Sequence, residues 1–519
     1  MGDGRRWVFA DQLGPHFLDS GEQEVLLVEA RGVLRRRRFH RQKAHLVLSA
    51  LRHRAAELGE RVRFVQAEGY GAALDEVGER VSVCHPTSHA ALRFVRGRPD
   101  VEVLAARGFA STQEEFAAWV RSRGEPEDGA DVVLGRLESE ADEAKDVRGV
   151  GRRGLVMEDF YRSARRRLDV LMAGDGPAGG RWNFDSENRC PPPRDGVPVP
   201  PAWRAEEDEI DERVRHDLDR WERDGEVAFV GRDGPRRFPA TRDEALQALR
   251  VFVEDRLPVF GPYQDAMLSE DPEMAHSMLS AAMNLGLLDP MECVRAAEAA
   301  YREGRVPLAG AEGYIRQLIG WRDYMWHLYW HFGDHYRELN RLAARAPLPE
   351  WFAALDAGAV EARCLSWALR QVRDTGFTHH IVRLMVLGNY ALQRGFDPAE
   401  LTGWFHRCFV DGYDWVMLPN VVGMSQHADG GLLATKPYAA GGAYIDRMSD
   451  FCRPCRYKPS RRTGADACPF TAGYWWFVAR NAERLGRNAR MARAVHGMRR
   501  LDDLDEVCAR EAGRGGEPP

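Results

Sequence analysis

Lysine is scarce in this 519-residue chain. Only four of its 73 Lys and Arg residues are lysine, so nearly all positive charge is guanidinium. Arginine suits contacts to phosphate, because its planar fork donates in pairs. No run of about 18 apolar residues occurs, which excludes a membrane-spanning helix. The formal net charge of −6 excludes wholesale electrostatic binding of nucleic acid. It leaves room for a local basic patch, since a site needs local charge only. The nine cysteines are odd in number and widely spread, and no signal peptide is evident. A disulfide framework is therefore not expected; thiolate ligands in a reducing cytoplasm are.

One further absence shapes the reading of the first third. Apolar runs at Trp7–Ala10, Val25–Glu29, Val62–Gln66, Val81–Cys84 and Val101–Leu104 read as strands. A helical stretch over Lys43–Gly59 lies between the second and third. This alternation predicts a parallel α/β, Rossmann-like domain. Yet no glycine fingerprint follows its first strand. The one G-x-G-x-x-G match, Gly174-Asp-Gly176-Pro-Ala-Gly179, follows a helix and precedes Arg181-Trp182-Asn183-Phe184, the wrong context for a dinucleotide.

Residues 186–240 are rich in Pro, Gly, Arg, Asp and Glu and read as a partly extended connector. From Arg242 the pattern is helical, with stripes at Leu246, Leu249 and Phe252–Val253 and again through Glu312–Phe332. Thr378–Leu392 is apolar on nearly all sides and is expected deep in the core. With 44% apolar residues and 14 tryptophans, large cores can be filled. The expected organisation is an α/β domain over 1–135, a connector with a helix over 136–240, and an all-helical domain over 241–519. The arginine run Arg35–Arg38 reads as a solvated face or loop, with an anion site as the alternative.

The strongest chemical signal is at Cys452-Arg-Pro-Cys455, followed after twelve residues by Cys468-Pro469, with Cys364 upstream. Cys-x2-Cys with a further thiolate and a following proline is ligand spacing for an iron–sulfur cluster or for zinc.

Several segments then carry a resemblance. They are Met157-Glu-Asp-Phe-Tyr161, Gly179-Gly-Arg-Trp-Asn-Phe-Asp185, Gln264-Asp-Ala-Met-Leu268, His276-Ser-Met-Leu-Ser280, Glu312-Gly-Tyr-Ile-Arg316 through Arg322, Thr378-His-His-Ile-Val-Arg-Leu-Met385, Leu418-Pro-Asn through Gln426, and Lys436-Pro-Tyr438 through Phe470. In this order the chain resembles the iron–sulfur bacterial cryptochromes and prokaryotic (6-4) photolyases of the cryptochrome/photolyase superfamily. The resemblance covers about residues 155–500 closely and the first 135 loosely.

It implies the photolyase/cryptochrome architecture, a [4Fe-4S] cluster on Cys364, Cys452, Cys455 and Cys468, and FAD in the helical domain. Zinc in the same four sulfurs is the alternative. The flavin positions it implies are Tyr263, His276, Ser277, Met278, Leu279, Ser280, Glu312, Arg316, Asn389, Asp411 and Trp415. Ser277 and Ser280 also fit ordinary helix capping. Arg316 and Arg322 also fit a network with Glu312 and Asp323. His379 and His380 are the implied catalytic pair. Imidazole titrates near neutrality and can donate a proton to a reacting base. Met424, Tyr438 and Tyr444 are the implied lesion pocket, where aromatic rings and a thioether suit an extruded dinucleotide. Arg453, Arg456, Lys458, Arg461 and Arg462 are suited to phosphates.

There are departures from the family. Asp11, Gln12 and Glu29 stand at antenna positions, but Val33 replaces a glutamate and His85-Pro-Thr-Ser-His89 differs from the usual stretch, so bound ribityl-lumazine is expected to be weak or absent. The tryptophan expected before Cys364 is Asp356, with Trp351 nearby. Trp404 is kept, Phe405 replaces a tyrosine, and electron transfer is expected through Trp404 with Tyr413 or Trp415. The function implied is light-dependent repair of (6-4) photoproducts in ultraviolet-damaged DNA, by an electron from excited reduced FAD. The rival is a blue-light photoreceptor that signals to a partner. A zinc-stabilised helical DNA-binding protein is the third reading. A monomer is expected.

Overall fold

The computed structural model describes residues 4–126, 128–140, 154–193, 198–486 and 488–519. Five strands form one all-parallel sheet: β1 (Arg5–Val8), β2 (Val25–Ala30), β3 (Val62–Ala67), β4 (Val81–Cys84) and β5 (Val101–Leu104), in the order β3-β2-β1-β4-β5. The first strand starts and ends two residues earlier than the apolar run suggests, because Arg6 pairs with Val25 and Ser82 inside the ladder. Arg6 is buried nonetheless, with its guanidinium held by Asp19 at 2.7 Å and Ser82 at 3.0 Å. Strands buried on both faces need cover on both. The helices Tyr70–Val77 and His89–Arg96 cover one face through Leu74, Val77, Leu92 and Val95. The Arg41–Leu58 helix covers the other with Leu46, Ala50 and Leu51, and the Glu209–Arg223 helix lies over it.

That second helix belongs to the stretch expected to be connector, so the connector is folded onto the sheet domain there. Part of the connector, 141–153 and 194–197, lies outside the described residues. The discarded glycine motif forms a two-residue antiparallel hairpin, Met172–Ala173 with Gly176–Pro177, with Gly174 at φ +59° in the turn between them. The domain boundary is not a break in packing. One apolar core runs from Val8 and Leu27 through Phe116 and Phe160 to Trp326 and Leu432.

The helical part is built from long helices interrupted by π turns. Arg242–Val251 passes into the π turn Phe252–Arg256, and Leu308–Ile315 into Arg316–Arg322 and then Asp323–Phe332. His380–Val382 passes into Arg383–Gly388 and then Asn389–Arg394, and Asp414–Leu418 into Pro419–Ser425. A π turn carries one residue too many and rotates the side chains beyond it, so such turns concentrate at functional sites. Three of these four carry a site arginine, Arg256, Arg316 or Arg383, and the fourth carries Met424. No described helix is long and apolar enough to cross a membrane.

Candidate functional site

The structure brings the histidines of two distant segments together. His379 caps the His380–Val382 helix, and its ring stacks on that of His276, with centroids 4.6 Å apart and planes 16° from parallel. His379 is 2% exposed, while its neighbour His380 is exposed. The extended backbone of His379 at the cap and the helical backbone of His380 send the two adjacent rings into different surroundings. Both ring nitrogens of His379, Nε2 of His276 and Oγ1 of Thr378 are buried without a hydrogen-bond partner. Unpaired buried polar atoms are costly and call for a partner, whether water or a bound group.

The protonation state differs from the near-neutral titration that the sequence suggests. His380 keeps part of its surface in solvent, yet the protein around its ring still desolvates it. That desolvation, then the Arg383 charge, pushes it down to about 4, with Asp411 pulling the other way. Desolvation, then the neighbouring His276, His380 and Arg383, lowers His379 well below the usual range. His276 falls to about 3 for the same leading reason, with the Arg256 charge next. At neutral pH this cluster is uncharged.

Two arginines that no sequence pattern singles out organise the site. Arg383 lies one turn from His379 and forks onto Asp411 at 2.9 and 3.1 Å, sandwiched between Phe377 and Phe409. Asp411 also accepts the Ser280 hydroxyl at 2.7 Å. Arg256 holds the loop that carries His276: it donates to the carbonyls of Met274, Pro200 and His276, the last at 3.0 Å. That loop is strained, with Met274 at φ +46° and Met278 at φ +59°. Side chains rarely adopt this left-handed region outside sites that impose it. Sequence periodicity contains no sign of either arrangement, because both link residues far apart in the chain.

The other implied flavin positions are distributed as follows. Ser277 Oγ accepts from Leu279 N at 3.3 Å, a local cap. Ser280 begins a helix of only five residues, Ser280–Asn284, so little helix dipole is available there. Arg316 is held by Asp185 at 2.8 Å and Glu312 at 3.4 Å, so the Glu312 half of the alternative network forms, but buried and with Asp185 added, while Arg322 turns to Met283 O and Asn284 instead of pairing with Asp323. Glu312 is wholly buried and accepts from Phe184 N at 3.0 Å. Asn389 bridges to the Ala440 backbone in both directions, at 2.8 and 3.1 Å. Tyr263 stands in the turn just before Gln264 and Asp265. Trp415 is buried against Phe109 and Trp326, with Arg322 over its ring at 4.8 Å.

Tyr438 and Tyr444 share one electrostatic neighbourhood with Asp265 and Arg189. Asp265 lies 3.8 Å from Arg189, and desolvation raises it to about 6 against the pull of that arginine. Asp265 follows Gln264, whose backbone meets His276, so the loop joins the histidines to the tyrosines. Met424 is buried in the core that Tyr438 and Tyr444 pack against.

Trp404 is buried and contacts Phe352, Phe405 and Phe409 at 4.8, 5.0 and 5.8 Å. Phe352 in turn meets the half-buried Trp351 at 5.6 Å. From Trp415 the rings continue to Trp326 at 5.7 Å and Trp330 at 5.4 Å. Tyr413 lies beneath the Lys43 ammonium, whose Nζ is 5.4 Å from its ring centre.

At the antenna positions, the polar groups face one another. Asp11 accepts from the Thr87 hydroxyl, and Gln12 donates to the carbonyls of Cys84 and His85 at 3.2 and 3.3 Å. Glu29 is wholly buried, forked by Arg52 at 2.8 and 2.9 Å and capped by Gln66 at 2.9 Å. Asp11 and Gln12 follow β1 and Thr87 follows β4. These strands flank the point where strand order reverses, the crevice where open α/β sheets bind ligands.

The four cysteines Cys364, Cys452, Cys455 and Cys468 line one recess with Gly442, Ile445, Phe451, Tyr457 and Phe470. None forms a disulfide. Burial, then the neighbouring sulfurs, raises the Cys364 thiol well above its usual value and Cys452 to about 12. These four thiols are the residues of this recess that could hold a metal. A Cβ on Gly442 would lie 2.7 Å from Cys468 Sγ, so the recess has no room for a side chain there.

A parallel sheet domain followed by this helical domain is the photolyase/cryptochrome architecture. A bacterial class III photolyase from Agrobacterium tumefaciens superposes with a TM-score of 0.51 at 14% identity, over 86% of this chain and 87% of that one, a likeness of fold alone. The family model of deoxyribodipyrimidine photo-lyase-related proteins matches residues 6–127 and 138–225. A (6-4) photolyase of Agrobacterium fabrum is 38% identical over 512 residues, 93% of each chain. A deoxyribodipyrimidine photo-lyase of Thermus thermophilus is 30% identical over 154 residues, 27% of this chain and 32% of that one. The chain belongs to the prokaryotic (6-4) photolyase family.

Proposed function

We propose that this protein is a light-dependent DNA photolyase that reverses pyrimidine (6-4) photoproducts. The observation that carries this reading is the His276–His379 stack with its three unpartnered ring nitrogens, beside an exposed His380. The family implies FAD, and the donor chemistry around the His276–Ser280 loop, Asn389, Asp411 and Arg383 fits it. Bound reduced FAD supplies the light-driven electron. The four cysteines fit a [4Fe-4S] cluster that ties the Arg363–Thr375 helix to the 452–468 loop.

The protein's own residues bind, orient and protonate. Tyr438 and Tyr444 flank the extruded bases by stacking, and Met424 fills the space beneath. His380 holds the proton at its ring. A ring uncharged at neutral pH must take up that proton as the DNA binds, because the anionic substrate favours the imidazolium. Arg383, fixed by Asp411, sets how readily that happens. The 1–135 unit, the 136–240 connector and the 241–519 unit act as sheet domain, bridge and catalytic domain.

Reduced protein under blue light is expected to convert (6-4)-containing oligonucleotide to undamaged thymines. His380→Ala and His379→Ala are each expected to keep FAD, and at least one to lose about a hundredfold or more of the repair rate. Wild-type protein that repairs neither (6-4) products nor cyclobutane dimers would leave the photoreceptor reading in its place.

A further inference from the structure

Beside the cysteine recess lies an open groove, about 270 Å³ in volume, between the Arg363–Thr375 helix and the 452–456 turn. Its lining includes Arg363, Ser366, Trp367 and Arg370 from the helix, and Cys455 and Arg456 from the turn. The four helix residues are spaced i, i+3, i+4 and i+7, so they form one face. Three arginines line the groove against one glutamate, Glu361, and that glutamate already pairs with Arg456 and the Tyr457 hydroxyl. Arg363 and Arg370 are exposed, and neither pairs with a carboxylate among the described residues. This contrasts with the interior and domain junctions, where Arg6, Arg52, Arg236, Arg316, Arg383 and Arg394 all have acidic partners.

The floor of the groove is rigid. Trp367 is 7% exposed, packs on Phe451 at 4.9 Å and donates from Nε1 to Ser269 O at 3.1 Å. Ser269 is tied in turn to Asp450 at 2.6 Å. The same segment leads back to the tyrosines: Met267 N bonds Met448 O, and Arg447 stands over the Tyr444 ring at 5.5 Å. A cation without a carboxylate partner among the described residues therefore marks each stage from Tyr444 to the groove: Arg447 and Arg453 on the loop side, then Arg363 and Arg370 on the helix. The last two are about 10 Å apart along the helix axis, and their long side chains can each reach a separate phosphate of one strand.

We propose that this groove seats the phosphate backbone of the DNA strand flanking the lesion, with Arg363 and Arg370 as its phosphate contacts. This rests on the photolyase reading and places the strand against the wall of the cysteine recess. Contacts to phosphate hold and position DNA without reading its sequence or its damage. The groove then contributes affinity, while the histidines and tyrosines contribute discrimination.

The test uses the full chain with its cofactors, and fluorescence anisotropy of duplex oligonucleotides with and without one (6-4) lesion across a salt series. The double variant Arg363→Gln/Arg370→Gln is expected to bind both duplexes more weakly by the same factor, about tenfold or more at low salt. Its log–log salt slope is expected to be shallower by about 1.8, at about 0.9 per phosphate contact. The ratio of lesion to undamaged affinity, the absorption spectrum and the thermal midpoint stay as in wild type. Arg363→Lys/Arg370→Lys restores the slope, because the charge returns. Arg80→Gln/Arg96→Gln, an equal change of net charge on the sheet domain, leaves the slope unaltered. A Gln double variant with the wild-type slope overturns the groove, as does one whose loss falls on lesion DNA alone. Salt-dependent binding lost in this way from a wild-type protein that repairs nothing supports the groove and removes the photolyase reading.

Discussion

His276 and His379 stack at 4.6 Å, one from a strained loop and one from a helix cap more than a hundred residues later. Their neutrality, and that of His380 beside them, follows from desolvation next to arginine. The uncharged state makes the site sensitive to whatever neighbouring charge is added or removed.

Arg383→Gln should therefore raise the His380 pKa from about 4, since the nearest cation pushing it down is gone. It also leaves Asp411 buried without its ion-pair partner, a change that typically costs about 3–5 kcal/mol. A proton NMR titration of the histidine resonances and a denaturant melt measure the two effects. An unshifted His380 would show that Arg383 does not control its protonation.

Asp265 sets a second pH dependence. Its carboxyl, raised to about 6, faces Arg189, Asp185 and Arg316 beside the two tyrosines. Above pH 6 it is an anion where polyanionic DNA approaches; below 6 it is neutral. Affinity for lesion DNA should rise as pH falls through about 6. Asp265→Asn should bind tightly and lose that dependence. Equal pH profiles for the two proteins would contradict the placement.

Gly442 gives a test of the cysteine recess that leaves every sulfur in place. A methyl group there would sit 2.7 Å from Cys468 Sγ. Gly442→Ala should lower the iron content, expected at about four per chain for a cubane cluster, and so should Cys455→Ala. Metal analysis of protein made with ample iron and no oxygen decides it. Stoichiometric zinc in wild-type protein would assign the recess to zinc.

Lys43 joins the two domains. Its ammonium is buried, donates to His406 O at 2.7 Å and to Gly412 O, and is pushed down to about 7 by desolvation, with Asp411 pulling it up. Between pH 7 and about 10.4 the unfolded chain holds a proton there that the folded chain has released. Folding stability from this group therefore rises with pH over that window, and its burial penalty is fullest below 7. Lys43→Met should flatten the rise in a pH series of urea melts. It should also loosen the 406–412 loop, because two carbonyls lose their donor.

Much of this molecule is legible in the order of its residues. Short apolar runs and a helical stripe mark the five strands and the covering helix, because a strand buried on both faces is apolar throughout and a helix on one face only. The cysteine spacing marks a ligand set, because two thiols three apart can face one point. Only the tertiary structure decides the electrostatics. His379 and His380 look like neutral-range acids in sequence, and become uncharged bases because the fold removes water from their rings and sets Arg383 alongside. Arg383 meets Asp411 across 28 residues and Arg316 meets Asp185 across 131, separations that no local pattern encodes. The sequence determined which groups this chain carries and which of its faces are apolar. The fold decided which charges meet, which stay unpaired in the groove beside Cys455, and which protons are held, because solvation and distance belong to the folded chain alone.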